Sequence, residues 1–345
     1  MTDITPFEAD ILDQPDALQR LADAPEAAGL RELAGRSWDR IVFTGMGSSH
    51  FAGIPTWRRL TELGLPSWSV DTGQLLDTPE LITANTLVVA TSQSGASGEV
   101  VELVDRLTAK RAGYGQLVGV AANPLSPLAQ AADVFLPLHS GDEATVSTKS
   151  YLNTLGVHRQ LTGVFAGETA TVANLEIRDS ASVVSELIAT ANLRALAEHA
   201  IAAPGHRLAA VGWGNHAATA LYAALITKES SKVAIEGFIG GQFRHGPFEL
   251  AGPGLTVIIY GAGEASSRQS LARLAQDLNA TGSSTVLVGD LREDGSISVP
   301  APSEGSLAGL VAGAVAAELL AVELAKANGV TPGAFAYGSK ITTAL

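Results

Sequence analysis

The sequence predicts an α/β protein made of two tandem, doubly wound, five-stranded parallel-sheet units. Three observations lead there. From Arg40 onward, short apolar runs alternate with Gly/Ser loops and helical stretches, the pattern of parallel strands joined by crossover helices. That pattern recurs once at a nearly constant offset. With 46% apolar and 17% charged residues over 345 positions, the chain can also bury a large core.

Taken in order, Phe7 to Arg36 reads as two helices, with Ile11, Leu12, Leu18 and Leu21 at helical spacing and Pro15 breaking the first run. Candidate strands follow at Ile41–Thr44, Trp68–Asp71, Leu87–Ala90, Leu117–Ala121 and Val134–Leu136. Strand Leu208–Val211 then precedes Gly212-Trp213-Gly214 as Ile41–Thr44 precedes Gly45-Met46-Gly47, 167 residues earlier. Thr256–Ile259 matches Leu87–Ala90 at an offset of 169, and Thr285–Val288 matches Leu117–Val120 at 168. These offsets indicate an internal duplication. The expected partition is a helical lead-in (1–38), a first unit (39–147), a helical connector (148–200), a second unit (201–300), and a C-terminal helix and tail (301–345). The apolar run from Leu307 to Ala317, soon followed by Glu318 and Glu323, is too short to span a bilayer and reads as a buried helix.

Composition excludes several classes of function. There is no cysteine, hence no disulfide scaffold, thiolate metal site or cysteine nucleophile. Asp and Glu number 35 against 22 Lys and Arg, a formal charge of −13 with no basic cluster, which argues against nucleic acid as a partner. No pair of histidines stands at metal-ligand spacing, and neither metal nor cofactor is expected. The N-terminal residues carry no basic segment followed by an apolar one, so a cytoplasmic location is expected, without membrane attachment.

Two loops of the first unit follow strands and lead into helices: Gly45-Met46-Gly47-Ser48-Ser49, and Ser92-Gln93-Ser94-Gly95-Ala96-Ser97. Free backbone N–H groups and the helix dipole favour an anion there, and Ser and Gln add donors. Helix capping by serine is the plainer alternative for either loop alone. The matching loop of the second unit, Gly261 to Ser266, lacks such a set of hydroxyls.

Three residues could move protons. Glu229 closes an apolar helix predicted over Asn215–Ser230; desolvated, it would be a base near neutral pH, and paired with Lys228 an ordinary surface residue. His245 lies in the run Gly240 to Pro247, as an acid–base group or a scaffold residue. Lys340, in Tyr337-Gly338-Ser339-Lys340-Ile341-Thr342, could engage a carbonyl or merely solubilise a frayed end.

Together these loops, with Ser147-Thr148-Lys149, Lys228-Glu229, Gly241 to Pro247, the Ser339 to Thr342 tail and the lead-in Ile11 to Pro15, resemble the double SIS (sugar isomerase) module. The likeness covers essentially the whole chain, and is strongest to the isomerase half of glutamine-dependent glucosamine-6-phosphate synthase. It implies a flavodoxin-like three-layer arrangement of each unit. It also implies that Ser92, Gln93, Ser94 and Ser97 hold a sugar phosphate, with Ser48 and Ser49 at the phosphate and adjoining hydroxyls, and that Ser147 touches the sugar. Glu229 would shuttle a proton between C1 and C2, His245 would open the ring from across a homodimer interface, and Lys340 would meet the open-chain carbonyl. Ile226 stands where the synthase has a lysine, and the cysteine-dependent glutaminase half has no counterpart here. The implied activity is therefore isomerisation of a hexose 6-phosphate or deamination of a hexosamine 6-phosphate, in preference to synthesis from ammonia. A non-catalytic phosphosugar sensor is the competing class.

Overall fold

The computed structural model describes residues 4–109 and 115–343; residues 1–3 of the expected lead-in and 344–345 of the tail lie outside it. Helices α1 (Pro6–Leu12), α2 (Gln14–Asp23) and α3 (Leu30–Ala34) precede the first sheet. That sheet comprises β1 (Arg40–Gly45), β2 (Ser67–Ser69), β3 (Thr86–Thr91), β4 (Gln116–Ala121) and β5 (Val134–Pro137). Between its strands run α4 (Ser48–Ala52), α5 (Ile54–Glu62), α6 (Thr72–Asp77), α7 (Gly98–Ala109) and α8 (Pro127–Ala131). Helices α9 (Lys149–Phe165), α10 (Ala170–Thr190) and α11 (Arg194–Ile201) follow. The second part contains β6 (Arg207–Gly212), α12 (His216–Ser231), β7 (Ile235–Ile239), β8 (Leu255–Ala262), α13 (Arg268–Ala280), β9 (Ser284–Gly289), β10 (Ile297–Val299) and α14 (Leu307–Ala327).

Both sheets are parallel throughout and share one strand order, β2-β1-β3-β4-β5 in the first and β7-β6-β8-β9-β10 in the second. The fold class is the expected one. In this order the chain reverses its winding after the second strand, which leaves a crevice at the carboxyl ends of β1 and β3, and of β6 and β8. Strands β3 and β8 are buried along their whole length, covered on both faces, so they read as unbroken apolar runs rather than alternating ones. Helix α7 lays Val100, Leu103, Val104 and Leu107 onto the first sheet at helical spacing, and α13 does the same on the second with Leu271, Leu274, Ala275 and Leu278.

Three details differ from the sequence reading. The lead-in contains three helices, and Pro15 occupies the first turn of α2, where its missing N–H has no intrahelical acceptor to lose. Strands β7 and β10 went unread; both are edge strands with exposed positions. Helix α14 continues to Ala327, so by length and composition it could cross a membrane, yet most of it is buried within the protein.

The chain packs as two compact units that do not follow its linear order. The first-sheet unit comprises residues 16–143, 149–178 and 337–345; the second-sheet unit comprises 1–15, 144–148 and 179–336. Helix α1 goes with the second sheet: Phe7 is fully buried and Glu8 pairs with Lys326 of α14 at 2.9 Å, while just beyond it Gln14 Nε2 donates to the buried Glu318 carboxylate of α14 at 2.5 Å. The C-terminal tail goes with the first sheet, where the Thr342 carbonyl accepts from the Gly98 N–H at the start of α7 at 3.0 Å.

At the end of β1, Gly45 pairs with Thr91 of β3 so closely that a Cβ would stand 2.7 Å from the Thr91 carbonyl oxygen and 3.1 Å from the His50 nitrogen. Gly45→Ala should therefore destabilise the fold by about 1–3 kcal/mol, the usual range for forced overpacking, read as a lower urea midpoint at unchanged slope. An unchanged midpoint would mean that the two strand ends are not held this tightly.

Candidate active site

In the first-sheet unit, the crevice between β1 and β3 is built from two loops. After β1, Gly47 adopts φ +53° and forms the N-cap of α4 without a side-chain hydrogen bond, which places Ser48 and Ser49 in the first turn. Neither serine is the cap, so that alternative does not apply to this loop. After β3 the hydroxyls build the loop itself. Ser92 Oγ accepts from the Gly95 N–H at 3.1 Å and lies 3.3 Å from Ser97 Oγ, while Ser94 Oγ accepts from the Ala96 N–H at 3.2 Å. The loop is pinned to β4 by Ser92 N–H to Val120 O and Ala122 N–H to Gln93 O. Gly95 is left-handed, and a Cβ there would strike Ser126 Oγ. Ser92 is buried, whereas Gln93, Ser94 and Ser97 are half-buried. The result is a preformed, neutral nest of donors at a strand–helix junction.

The tail brings Lys340 into this unit. Its ammonium donates to the Glu143 main-chain carbonyl and lies 3.4 Å from Glu143 Oε2. Glu143 is buried and also accepts from Ser150 N–H at 3.0 Å and Ser150 Oγ at 2.8 Å. Lys340 is thus a fixed ion-pair partner, not a charge on a frayed end. The sequence reading missed Glu143, which had no local signal pointing across 197 residues to its lysine.

Two histidines were also missed. His50, following Ser49 on α4, is held below the ordinary imidazole range by burial, against the opposing pull of Asp71. His158 of α9 is fully buried, with Nε2 3.1 Å from Thr91 Oγ1, the residue that immediately precedes Ser92. Its ring packs against Phe43 with centroids 6.0 Å apart, and burial pushes its pKa down to about 4.

The second-sheet unit holds Ser147, Glu229 and His245. The Ser147 carbonyl accepts from Tyr222 Oη at 2.8 Å, and the same hydroxyl donates to Glu318 Oε1 at 2.6 Å. Ile226 is buried, one turn before Glu229 in α12. The Glu229 side chain reaches solvent, but protein crowds its carboxyl and raises its pKa to about 7, against the opposing charges of Lys232 and Lys228. His245 is exposed between two 3₁₀ turns, Gly240–Arg244 and Pro247–Leu250, with its N–H bonded to the Gln242 carbonyl.

The crevice of this second sheet is filled from within. His216 Nε2 lies 3.1 Å from the Ser303 and Glu304 carbonyl oxygens, and Asn215 Nδ2 donates to the Gly305 carbonyl at 2.8 Å. A Cβ on Gly261 would collide with the His216 ring. The two crevices therefore differ physically: one is lined by open hydroxyls, the other closed by residues 303–305.

Fold and crevice together define a doubly wound α/β protein with one crevice of backbone donors and hydroxyls. Residues 36–162 match the SIS domain, and the chain has the double-SIS fold. It is 27% identical over 343 residues to the glutamine–fructose-6-phosphate aminotransferase (isomerizing) of Caulobacter vibrioides, covering 94% of this chain and 56% of that one. It is 33% identical over 173 residues to an arabinose 5-phosphate isomerase of Pseudomonas aeruginosa, covering 50% of this chain and 49% of that protein. The C-terminal domain of the glucosamine-fructose-6-phosphate aminotransferase of Francisella tularensis superposes with a TM-score of 0.84 at 18% identity, over 96% of this chain and 99% of that one. The chain spans about half the length of the curated relatives it matches.

His158 gives a pH test of how the first crevice is supported. Its ring protonates near 6.5 when exposed and near 4 in the fold, so its contribution is complete above pH 6.5 and is lost as pH falls from 6.5 to 4. Denaturant titrations should show about 3 kcal/mol of stability lost across that window through this residue, at roughly 1.4 kcal/mol per pH unit. In His158→Gln that component should vanish. An unchanged pH slope in the variant would mean that the ring titrates normally.

Proposed function

We propose that this chain is a cytoplasmic, homodimeric phosphosugar enzyme. It opens a hexose or hexosamine 6-phosphate and moves a proton between C1 and C2. The observation that carries this reading is Glu229. A carboxyl raised to about 7 is half deprotonated near neutrality, the condition that serves a general base, and a protein that only binds its ligand has no use for it. The loop of Ser92, Gln93, Ser94 and Ser97, with Ser48 and Ser49, would hold the phosphate through neutral donors, and Ser147 would contact the sugar.

In the proposed mechanism His245, supplied by the neighbouring subunit, transfers the proton that opens the ring. Lys340, oriented by Glu143, polarises the freed carbonyl. Glu229 takes the C2 proton of the open-chain aldose, leaving a cis-enediol, or an enolamine when C2 carries nitrogen, and returns the proton to C1. For an aldose, the O2 proton passes to O1 and the ketose results. For an amino sugar, the enolamine becomes a ketimine, and water then replaces ammonia at C2. Ile226 favours isomerisation or deamination over synthesis. It is buried and apolar where the resembling synthases carry a lysine, so the chain offers no amine at that position of α12.

Glu229→Gln should lower turnover by at least about 10²-fold, the usual share of one general acid–base step, while the Kd for the sugar phosphate stays within twofold. In the unmodified protein kcat should fall as pH drops through about 7, where Glu229 takes up its proton. The test uses glucosamine 6-phosphate, fructose 6-phosphate and further ketose phosphates, following sugar product and ammonia. Wild-type turnover in Glu229→Gln would remove Glu229 as the base. Saturable binding without turnover across the panel would favour a sensor.

A further inference from the structure

Helix α12 ends two residues after Glu229, and its C-terminal carbonyls are met in an unusual way. The Lys228 carbonyl accepts from the Lys232 N–H at 3.2 Å, the Ser230 carbonyl from the Gly333 N–H at 3.2 Å, and the Ser231 carbonyl from Asn328 Nδ2 at 2.9 Å. The carbonyl of Glu229 itself accepts from the Lys232 ammonium, which also donates to the Ala334 carbonyl at 2.6 Å. Lys232 thus clips the residue that carries the base to the strand of chain that follows α14. Ala334 lies six residues ahead of Lys340 in the sequence.

Lys232 does this from a backbone conformation that suits it poorly. Its φ of 60° and ψ of 16° are left-handed, the helix-ending position usually taken by glycine or asparagine. Among the described residues, His139 is the one other non-glycine with positive φ. A cap alone would be served better by glycine, which adopts this conformation without steric cost. What glycine lacks is the ammonium.

We propose that Lys232 is a positioning residue for Glu229: its ammonium, bonded to the Glu229 and Ala334 carbonyls, fixes the main chain that carries the carboxylate and holds a positive charge beside it. The proposal rests on the reading of Glu229 as the base. Lys232 and Lys228 are the charged groups that act on the Glu229 carboxyl. Among the described residues, the charged groups on the elements packed on α12 are engaged elsewhere or face away from it; Arg207 of β6 donates to the Leu250 and Pro253 carbonyls. On α14, Glu318 is committed to Tyr222 and Gln14, and Glu323 to Lys326, which also pairs with Glu8. On β7, Gly237 faces α12, so the adjacent Glu236 points to the opposite face of the sheet. Desolvation raises the Glu229 pKa and Lys232 opposes it, so loss of the lysine moves the base further up.

The test compares the full chain with Lys232→Gly, Lys232→Met and Lys232→Arg. Glu229 is titrated by carboxyl carbon NMR, its resonance assigned by its loss in Glu229→Gln. Lys232→Gly should melt at or above the wild-type temperature. In the Gly and Met variants the Glu229 midpoint should rise by about half a pH unit or more, as expected on removing a nearby opposite charge. The acidic limb of kcat should rise with it while KM holds, and Lys232→Arg should restore both. A Glu229 midpoint unchanged from wild type in Lys232→Gly would overturn the proposal and leave Lys232 a cap. Full turnover in Glu229→Gln would instead overturn the reading of the base, while the titration would still report on the lysine.

Discussion

The contact on which the first unit depends is the approach of Gly45 to Thr91 at the ends of β1 and β3. With no side chain at Gly45, the two strands stay in register to their last residues and then part in opposite directions. One loop passes into α4 with Ser48 and Ser49 in its first turn, the other into the Ser92 to Ser97 turn. Behind them His158 lies 3.1 Å from the Thr91 hydroxyl, a neutral ring where a charged one would be costly. The crevice is therefore formed by backbone geometry before any ligand arrives. Its donors are N–H groups, hydroxyls and an amide, so an anion can be held in a protein of formal charge −13 without a basic surface.

The two units share a strand order and differ in what occupies the equivalent crevice. In the second, His216 and Asn215 are already engaged by the carbonyls of residues 303–305. What this unit offers instead is the end of α12. There an apolar helix delivers a carboxyl into crowded surroundings, and the chain after α14 meets the helix's last carbonyls. The pKa of Glu229, about 7, is a balance between that crowding and the charges of Lys232 and Lys228. The two copies of one strand order thus carry different loops: hydroxyls at the crevice of the first sheet, and a crowded carboxyl at the end of α12 in the second-sheet unit.

The central strands were legible because burial on both faces leaves unbroken apolar runs. Strands β7 and β10 were not, because edge strands carry exposed residues and weaker patterns. Loops rich in serine announced themselves, and so did Glu229 at the end of an apolar helix, although its surroundings could not be read. The residues that escaped are those whose meaning lies in a distant partner. Glu143 is explained by Lys340, and His158 by Thr91, 67 residues away. Lys232 drew no attention in the sequence; its left-handed backbone and two carbonyl partners appear only in three dimensions. The linear order also hid which sheet α1 and the tail accompany, since α1 is held by its buried Phe7 and a Glu8–Lys326 ion pair, and the tail by bonds to Gly98 and Glu143, all to partners far along the chain.

The most direct measurement of the proposed chemistry is hydrogen exchange on the sugar. The protein is incubated in D₂O with glucosamine 6-phosphate or fructose 6-phosphate, and the sugar is followed by proton NMR. Loss of the C1 or C2 proton signal is expected, faster above pH 7 than below it, and absent with Glu229→Gln. Retention of both protons across hexose and hexosamine 6-phosphates that the protein demonstrably binds would contradict a proton-shuttling enzyme.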